Sequence, residues 1–368
     1  MPKRTWLACV CFGLFIAGCS QDQRELEKIG YIEMEAMDTA PGDRLRVTIS
    51  VPLVSQYAKN GKTTDELLST VSDSPKDAKK ELSLRTSRIL ASGQIRTLMF
   101  GEDLARKGLW RYMDTFYRDP SISPRVTIVI VEGDAGEVIS QEYPRHTKTA
   151  NYLNKLLQKE FAKQSYPRTK LHQFFRDYYD DGQDPIATMI HEQEKDLSIS
   201  GIALFRNDRM ITKLPWSDVF FFSLMYQNLT QGEFTITSDN PDMRSIAFRA
   251  VRNKRKIKVT KNKEGLYEAD IYLKVEGGVE EYLGGLKLST ADRRKVEKMI
   301  SERIVTEADR IVKIMQKNRV DSIGLGQYVR NQMSYAEWKR TAWHDMFRTM
   351  PVRIHCSFAM KHFGNHFD

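Results

Sequence analysis

Cysteine is scarce in this chain: 368 residues hold only four. Cys9, Cys11 and Cys19 crowd together near the N-terminus, which leaves Cys356 alone in the remainder. A lone cysteine cannot form a disulfide within the chain, so the stability of the fold must come from packed cores. Cys356 alternates with apolar neighbours in a strand-like segment, and we expect it to act as a small buried hydrophobic side chain.

The sequence also lacks the motifs of common catalytic sites. It contains no G-x-S-x-G, no phosphate-binding loop and no dinucleotide fingerprint. His191 and Glu192 are followed by Lys195 at the position where a zinc protease helix carries its second histidine. We therefore predict that the chain is not an enzyme and holds no catalytic residue and no cofactor.

Long hydrophobic runs are missing after the N-terminal segment. The most apolar stretch, residues 219–225, is interrupted by Ser223 and is far shorter than the roughly 20 residues that span a bilayer. With 41% hydrophobic and 29% charged residues, the composition indicates a soluble, globular ectodomain.

The N-terminus reads as a bacterial lipoprotein signal. Lys3 and Arg4 precede an uncharged segment, residues 6–17, which ends in the lipobox-like sequence IAGC with Gly18 and Cys19. That length fits a signal peptide and not a membrane span. We predict cleavage between Gly18 and Cys19, and S-diacylglycerol and N-acyl groups on Cys19, which would hold the chain on the bilayer through more than one acyl chain. The alternatives are an ordinary cleaved signal or a buried N-terminal helix with a chance cysteine.

The chain is basic, with a net charge of +9 that falls to +7 once Lys3 and Arg4 leave with the signal. Since the chain reads as exported, nucleic acid is not the expected partner, and an anionic membrane surface or an acidic protein fits better. The segment from Arg249 to Lys263 holds eight Lys or Arg and no acid. Its alternation with apolar residues favours one solvated strand face, and a docking face is the alternative.

Periodicity divides the chain into a signal peptide (1–18), a tether (19–30) and three domains. Alternating and buried strands at 44–54 and 125–132, with helices between them, predict an N-terminal α/β-type domain over 31–185. An acidic, turn-rich segment ends that domain, and a small middle domain is expected over 186–235, with Ser217 capping its helix. Long strands and a long helix capped by Thr290 predict a C-terminal α+β domain over 236–368. The fold class is α+β, a three-domain ectodomain of mixed and antiparallel sheets with helices packed on them.

Two clusters have the composition of a metal site. His355, Cys356, His362 and His366 are zinc-ligand types within twelve residues, and Asp180, Asp181 and Asp184 are calcium-ligand types. Neither has the full spacing of a metal motif, and we predict no metal. Trp338 and Trp343 are expected to pack in the core of the last domain, and an aromatic ligand cleft is the less favoured role.

Several segments in order resemble the Ger(x)C family, the lipoprotein C subunits of bacterial spore germinant receptors. They are LMFGEDLA at 98–105, FYRDP at 116–120, GIALF at 201–205, and the stretch 321–343 with Asp321, Gly324, Gly326, Trp338 and Trp343.

The resemblance implies a lipoprotein on the outer face of the spore inner membrane that takes part in nutrient-triggered germination. It would assemble with membrane-embedded A and B receptor subunits, and those subunits would bind the small-molecule germinant. Only the lipidated Cys19 transfers as a functional residue. The alternative function is a solute-binding lipoprotein of a transporter, which would have two similar lobes around a hinge; an envelope hydrolase is a further, weaker one.

Overall fold

The computed structural model describes residues 28–53, 65–143, 146, 148–163, 166–237, 244–285 and 290–361. The strands are β1 (Ile29–Tyr31), β2 (Met34–Ala40), β3 (Arg44–Pro52), β4 (Asp65–Ser72), β5 (Ile89–Ala91), β6 (Thr97–Gly101), β7 (Thr127–Val131), β8 (Ile186–Gln193), β9 (Asp196–Arg206), β10 (Arg209–Pro215), β11 (Gly232–Thr237), β12 (Ser245–Lys261), β13 (Tyr267–Leu283) and β14 (Val352–Lys361).

The helices lie between and after these strands. They are α1 (Pro75–Ser83), α2 (Glu102–Lys107), α3 (Trp110–Arg118), α4 (Ala135–Ser140), α5 (Thr149–Ala162), α6 (Leu171–Tyr179), α7 (Trp216–Tyr226), α8 (Thr290–Asn318), α9 (Leu325–Arg330), α10 (Tyr335–Arg340) and α11 (Trp343–Thr349). Within the described ranges, none of them is both long and apolar enough to cross a membrane.

An eight-stranded sheet in the order β10-β9-β8-β7-β6-β2-β3-β4 forms the larger part of the fold. Its centre, β2-β6-β7-β8, is parallel, and the pairs on both flanks are antiparallel. All five residues of β7, with the sequence TIVIV, are buried, which is typical of a parallel strand covered by helices on both faces. One face packs against α1, α2, α3 and α6, and the other against α4, α5 and α7.

The predicted boundary at residue 185 falls inside this sheet. β8 begins at Ile186 and pairs in parallel with β7 through Val129 and Thr188, so the sheet continues through β10. The acidic segment is a turn between a helix and the next strand of the same sheet. The α+β class is confirmed, with helices packed on a mixed sheet and on a second, smaller one.

The smaller sheet has the order β11-β12-β13-β14 and is dominated by a hairpin of two 17-residue strands. The register pairs Lys261 with Tyr267 next to the turn, and Gly265 in that turn has a φ of 80°. The long strands predicted for this part of the chain are present as β12 and β13. β14 adds to β13 in parallel.

The long helix α8 covers one face of the smaller sheet. Its first helical residue is Thr290, which was predicted to be the cap, and its apolar positions Val296, Ile300, Ile304, Ile311 and Met315 are fully buried. Their core is continuous with the α4–α5–α7 face of the larger sheet.

The predicted cap of α7 is wrong. Pro215 is the residue that precedes the helix, and Ser217 lies inside its first turn, where its hydroxyl donates to Asp218 at 3.3 Å.

Candidate functional site

The larger sheet and the C-terminal segment are joined at one buried junction, here called the latch: the turn 180–185 and the loop 320–326. At its centre Asp321 is fully buried. Its Oδ1 accepts from the amides of Gly324 and Leu325, both at 3.0 Å, and its Oδ2 from the amide of Gly326 at 2.7 Å. The indole Nε1 of Trp343 donates to Oδ2 at 3.2 Å. The carboxylate therefore organises the loop in front of α9 and fixes one tryptophan.

The turn is attached to this loop by main-chain and side-chain bonds. The amide of Asp184 donates to the carbonyl of Asp321 at 3.0 Å, and the amide of Asp321 donates to Oδ2 of Asp184 at 2.6 Å. His344 Nε2 lies 3.0 Å from the same carboxylate oxygen, and this contact raises the pKa of His344. Burial, reinforced by the charge of Asp184, raises the pKa of Asp321 to about 7 against the opposing effect of the amides.

Two glycines let the turn and α9 approach each other closely. A Cβ on Gly182 would lie 2.6 Å from the amide nitrogen of Gln327. A Cβ on Gly326 would lie 2.7 Å from the ring of Trp343 and 2.8 Å from Cα of Gly182. Since real Cβ contacts are not that short, only glycine fits at either position.

The three aspartates considered for calcium contact three different partners. Asp180 pairs with Arg330 at 2.9 Å, and Asp181 pairs with Lys339 at 2.8 Å on the surface. Asp184 is buried beside His344. Their side chains serve the latch separately and do not form one ion-binding group.

The four candidate zinc ligands are also not brought together as one group. His355 and Cys356 are consecutive in β14 and project from opposite faces of the sheet. On the exposed face, His355 Nε2 lies 2.8 Å from Asp270. On the opposite face, burial raises the pKa of the Cys356 thiol to about 12. Cys356 is partly buried, and His362 and His366 lie outside the described residues. In the ranges that the structure describes, no three potential ligands come together.

Trp338 and Trp343 pack in the core, as predicted. Each is 4% exposed, their rings lie 6.0 Å apart, and Trp343 continues onto Phe347. The tryptophans thus form the apolar floor of the latch.

A groove of about 1130 Å³ opens between α1 and α3, on the face of the larger sheet that α1, α2, α3 and α6 cover. Lys76, Lys80 and Arg88 line it, and Glu35 of β2 lies in it, 5% exposed. Burial raises the pKa of Glu35 to about 8, and the charge of Lys79 opposes that shift.

The basic segment predicted as a solvated face lies in β12. Lys254, Lys256 and Lys258 are exposed, and the intervening Ile257 and Val259 are buried. Arg255 departs from the pattern, since it turns inward and its guanidinium donates to the carbonyl of Met225. Gly18 and Cys19, the predicted cleavage and lipid site, lie outside the described residues.

Sequence reasoning missed two latch residues, Arg330 and His344. Arg330 lies four residues after Gly326 and His344 directly after Trp343, but no sequence pattern predicts that they contact a turn about 150 residues earlier. Their partners are set by the docking of α9 and α11 onto the larger sheet.

The fold and the latch define an α+β protein in which two unlike sheets are joined through a buried, glycine-dependent turn. Residues 22–192 match the spore germination protein N-terminal domain, and residues 200–364 match the spore germination B3/GerAC-like C-terminal domain. The chain belongs to this spore germination family, the Ger(x)C family.

Relatives match over nearly the whole chain. The spore germination protein GerQC of Bacillus cereus is 22% identical over 95% of this chain and 96% of its own length. The putative spore germination protein YfkR of Bacillus subtilis strain 168 is 21% identical over 96% and 95%. The crystal structure of the GerBC protein superposes with a TM-score of 0.58 at 13% identity, covering 92% of this chain and all of that one.

Family membership gives the chain a role in spore germination, as part of germinant receptor function. The family is a non-catalytic one. It also implies assembly with germinant receptor subunits and association with a membrane.

Proposed function

We propose that the chain is a lipid-anchored, non-catalytic subunit of a spore germinant receptor. Lipid on Cys19 would hold the ectodomain on the outer face of the spore inner membrane. There it would assemble with the membrane-embedded A and B subunits, which bind the germinant, and would relay or support their signal. The observation that carries the proposal is the pairing of a lipobox at Cys19 with family matches over both halves of the chain.

The physical argument for the anchor is one of free energy. Two acyl chains of a diacylglyceryl group contribute about 0.8 kcal/mol per buried methylene, which is enough for stable attachment where one chain is not. A subunit held at the bilayer meets membrane-embedded partners at a high effective concentration, so a modest interface suffices for assembly.

Replacing the lipidated cysteine tests the proposal. We expect Cys19→Ala to release the chain from spore membranes and to impair nutrient-triggered germination, because both acyl attachment points are lost. Membrane retention is measured by fractionation and germination by loss of optical density on nutrient addition. Cys11→Ala, a cysteine of the same N-terminal segment, is the matched control and should keep both.

Two results would contradict the proposal at different points. Full membrane retention of the Cys19→Ala chain would contradict the proposal that lipid on Cys19 anchors the protein. Unchanged germination with every nutrient in a strain that lacks the gene would contradict the proposed role in a germinant receptor.

The alternative, a solute-binding lipoprotein, requires two similar lobes. The larger sheet is mixed and eight-stranded, whereas the smaller one is a four-stranded sheet built on a hairpin. These unlike halves favour the receptor subunit.

A further inference from the structure

The exposed face of the smaller sheet carries a cluster of four lysines that come from two neighbouring strands. Lys254, Lys256 and Lys258 project from β12, and Lys274 of β13 lies directly opposite Lys254 in the register. We call these four residues the lysine face. Alternate residues on a strand are about 7 Å apart and neighbouring strands about 5 Å, so the four ammonium groups share one small area.

The acids on this face are already engaged by other cations. Arg353 pairs with Glu268 at 2.7 Å and with Asp270 at 3.0 Å. Lys361 lies 3.5 Å from Glu276. In the part of the chain that the structure describes, no carboxylate lies within 4.0 Å of a lysine-face ammonium group. Asp270 is opposite Lys258 in the register, but its carboxylate is held by Arg353 and His355. The four lysines therefore form no ion pair of their own.

Protection of a sheet edge does not account for this arrangement. Lys274 lies on β13, which has a neighbour on both sides. The part of β12 that extends past β11 has no strand beside it on that edge, but its main-chain groups already have partners. The amide of Asn253 donates to the carbonyl of Leu229, and the carbonyl of Val259 accepts from Gln332. Like charges directly opposite each other on a sheet are destabilising, so the Lys254–Lys274 pair costs stability without a structural benefit.

We propose that the lysine face docks on an anionic lipid surface. An extended sheet face presents its cations in one layer, which matches a planar array of lipid phosphates, and each lysine near such a surface strengthens binding about fivefold. Tyr272 lies between the lysines, 41% exposed and stacked on His355 with ring centroids 4.6 Å apart. Tyrosine is a preferred residue at the membrane interface.

The inference rests on the proposed function, because the lipid on Cys19 is what keeps the chain beside a bilayer. A tethered chain needs only weak additional attraction to settle on the membrane in one orientation. The lysine face would thus orient the ectodomain toward its partners, while Cys19 only retains it.

Vesicle binding of the mature chain carrying Cys19→Ala tests the face without any contribution from the anchor. We expect binding to phosphatidylcholine vesicles that contain phosphatidylglycerol, little binding to pure phosphatidylcholine, and weakening with added salt. Changing all four lysines of the face to Gln should lower the affinity several hundredfold, about fivefold for each lysine. Co-sedimentation measures it.

The matched control removes the same charge elsewhere. Lys76, Lys80, Lys107 and Lys155 are exposed positions on the larger sheet's side, and changing all four to Gln should leave binding within about twofold of the parent chain, because charges more than about 10 Å from the membrane are screened. Changing the lysine face to Arg should preserve binding, and circular dichroism checks that each variant is folded.

Three outcomes would overturn the inference. They are no binding of the parent chain to anionic vesicles, an equal loss in the control, or loss of partner co-purification in the lysine-face variant with vesicle binding intact. The last would identify an acidic protein as the occupant. None of them bears on the Cys19 anchor, which is tested separately in spores.

Discussion

Asp321 combines two demands that pull in opposite directions. Its carboxylate is fully buried, which favours the neutral acid, and it accepts from three amides and an indole, which favours the charged form. The sequence places Asp321 in a family-like motif, but a motif does not show that its oxygens accept from the amides of residues 324–326 and from the indole of Trp343. That knowledge needs the loop conformation.

Glu35 leads to a prediction about pH. Its pKa rises from 4.5 to about 8 on folding because of burial. The folded chain therefore keeps a proton that the unfolded chain releases, so this contribution to stability is full below about pH 4.5 and is lost as the pH rises through 8. We expect Glu35→Gln to flatten the fall in the free energy of unfolding over that window by up to about 1.4 kcal/mol per pH unit.

Urea denaturation at several pH values measures both slopes. Asp38, whose pKa is raised to about 7 by burial, contributes in the same direction and stays in the variant, so some slope should remain. Equal slopes for the parent chain and Glu35→Gln would contradict the assignment.

At the scale of elements, patterns along the chain predict strands and helices well where one face is buried. The alternation in β12 and the helical spacing in α8 both led to elements that the structure contains. Ser217 failed as a cap because the cap is Pro215, so that α7 starts two residues earlier than a cap at Ser217 would place it. A cap depends on local backbone geometry, which composition alone does not specify.

The latch supplies a prediction at this scale. Gly182→Ala would place a methyl group against the backbone of Gln327, which cannot move without shifting α9. We expect a loss of about 2–3 kcal/mol in the free energy of unfolding, the usual cost of forcing extra volume into a packed junction. Asp181→Ala is the control, because it removes only an exposed ion pair with Lys339 and should leave the free energy of unfolding nearly unchanged.

Denaturation in urea compares the two variants. A Gly182→Ala chain as stable as the parent would show that the turn and α9 separate without cost, and the latch would then not hold the two parts together.

At the scale of the whole molecule, one apolar core runs from Met34 in β2 to Met360 in β14. It passes beneath both sheets and includes α7 and α8. A continuous core couples the unfolding of the two parts, since neither can expose its share without exposing the other's.

We therefore expect a single thermal transition, even though the family divides into N- and C-terminal domains. Far-ultraviolet and near-ultraviolet circular dichroism should give the same midpoint, and calorimetry should show one peak. Two resolved peaks would mean that the halves unfold independently.

The sequence by itself determined the α+β class, the long strands and long helix of the C-terminal part, and the family, because these follow from periodicity and from motifs that are local in the chain. It also determined the lipobox at Cys19, which depends only on neighbouring residues. Tertiary structure alone decided that β8 extends the first sheet and that Asp184 bonds to Asp321. Each of these joins residues that are distant in the chain, and their pairing is set by how strands register and how helices dock when the common core closes.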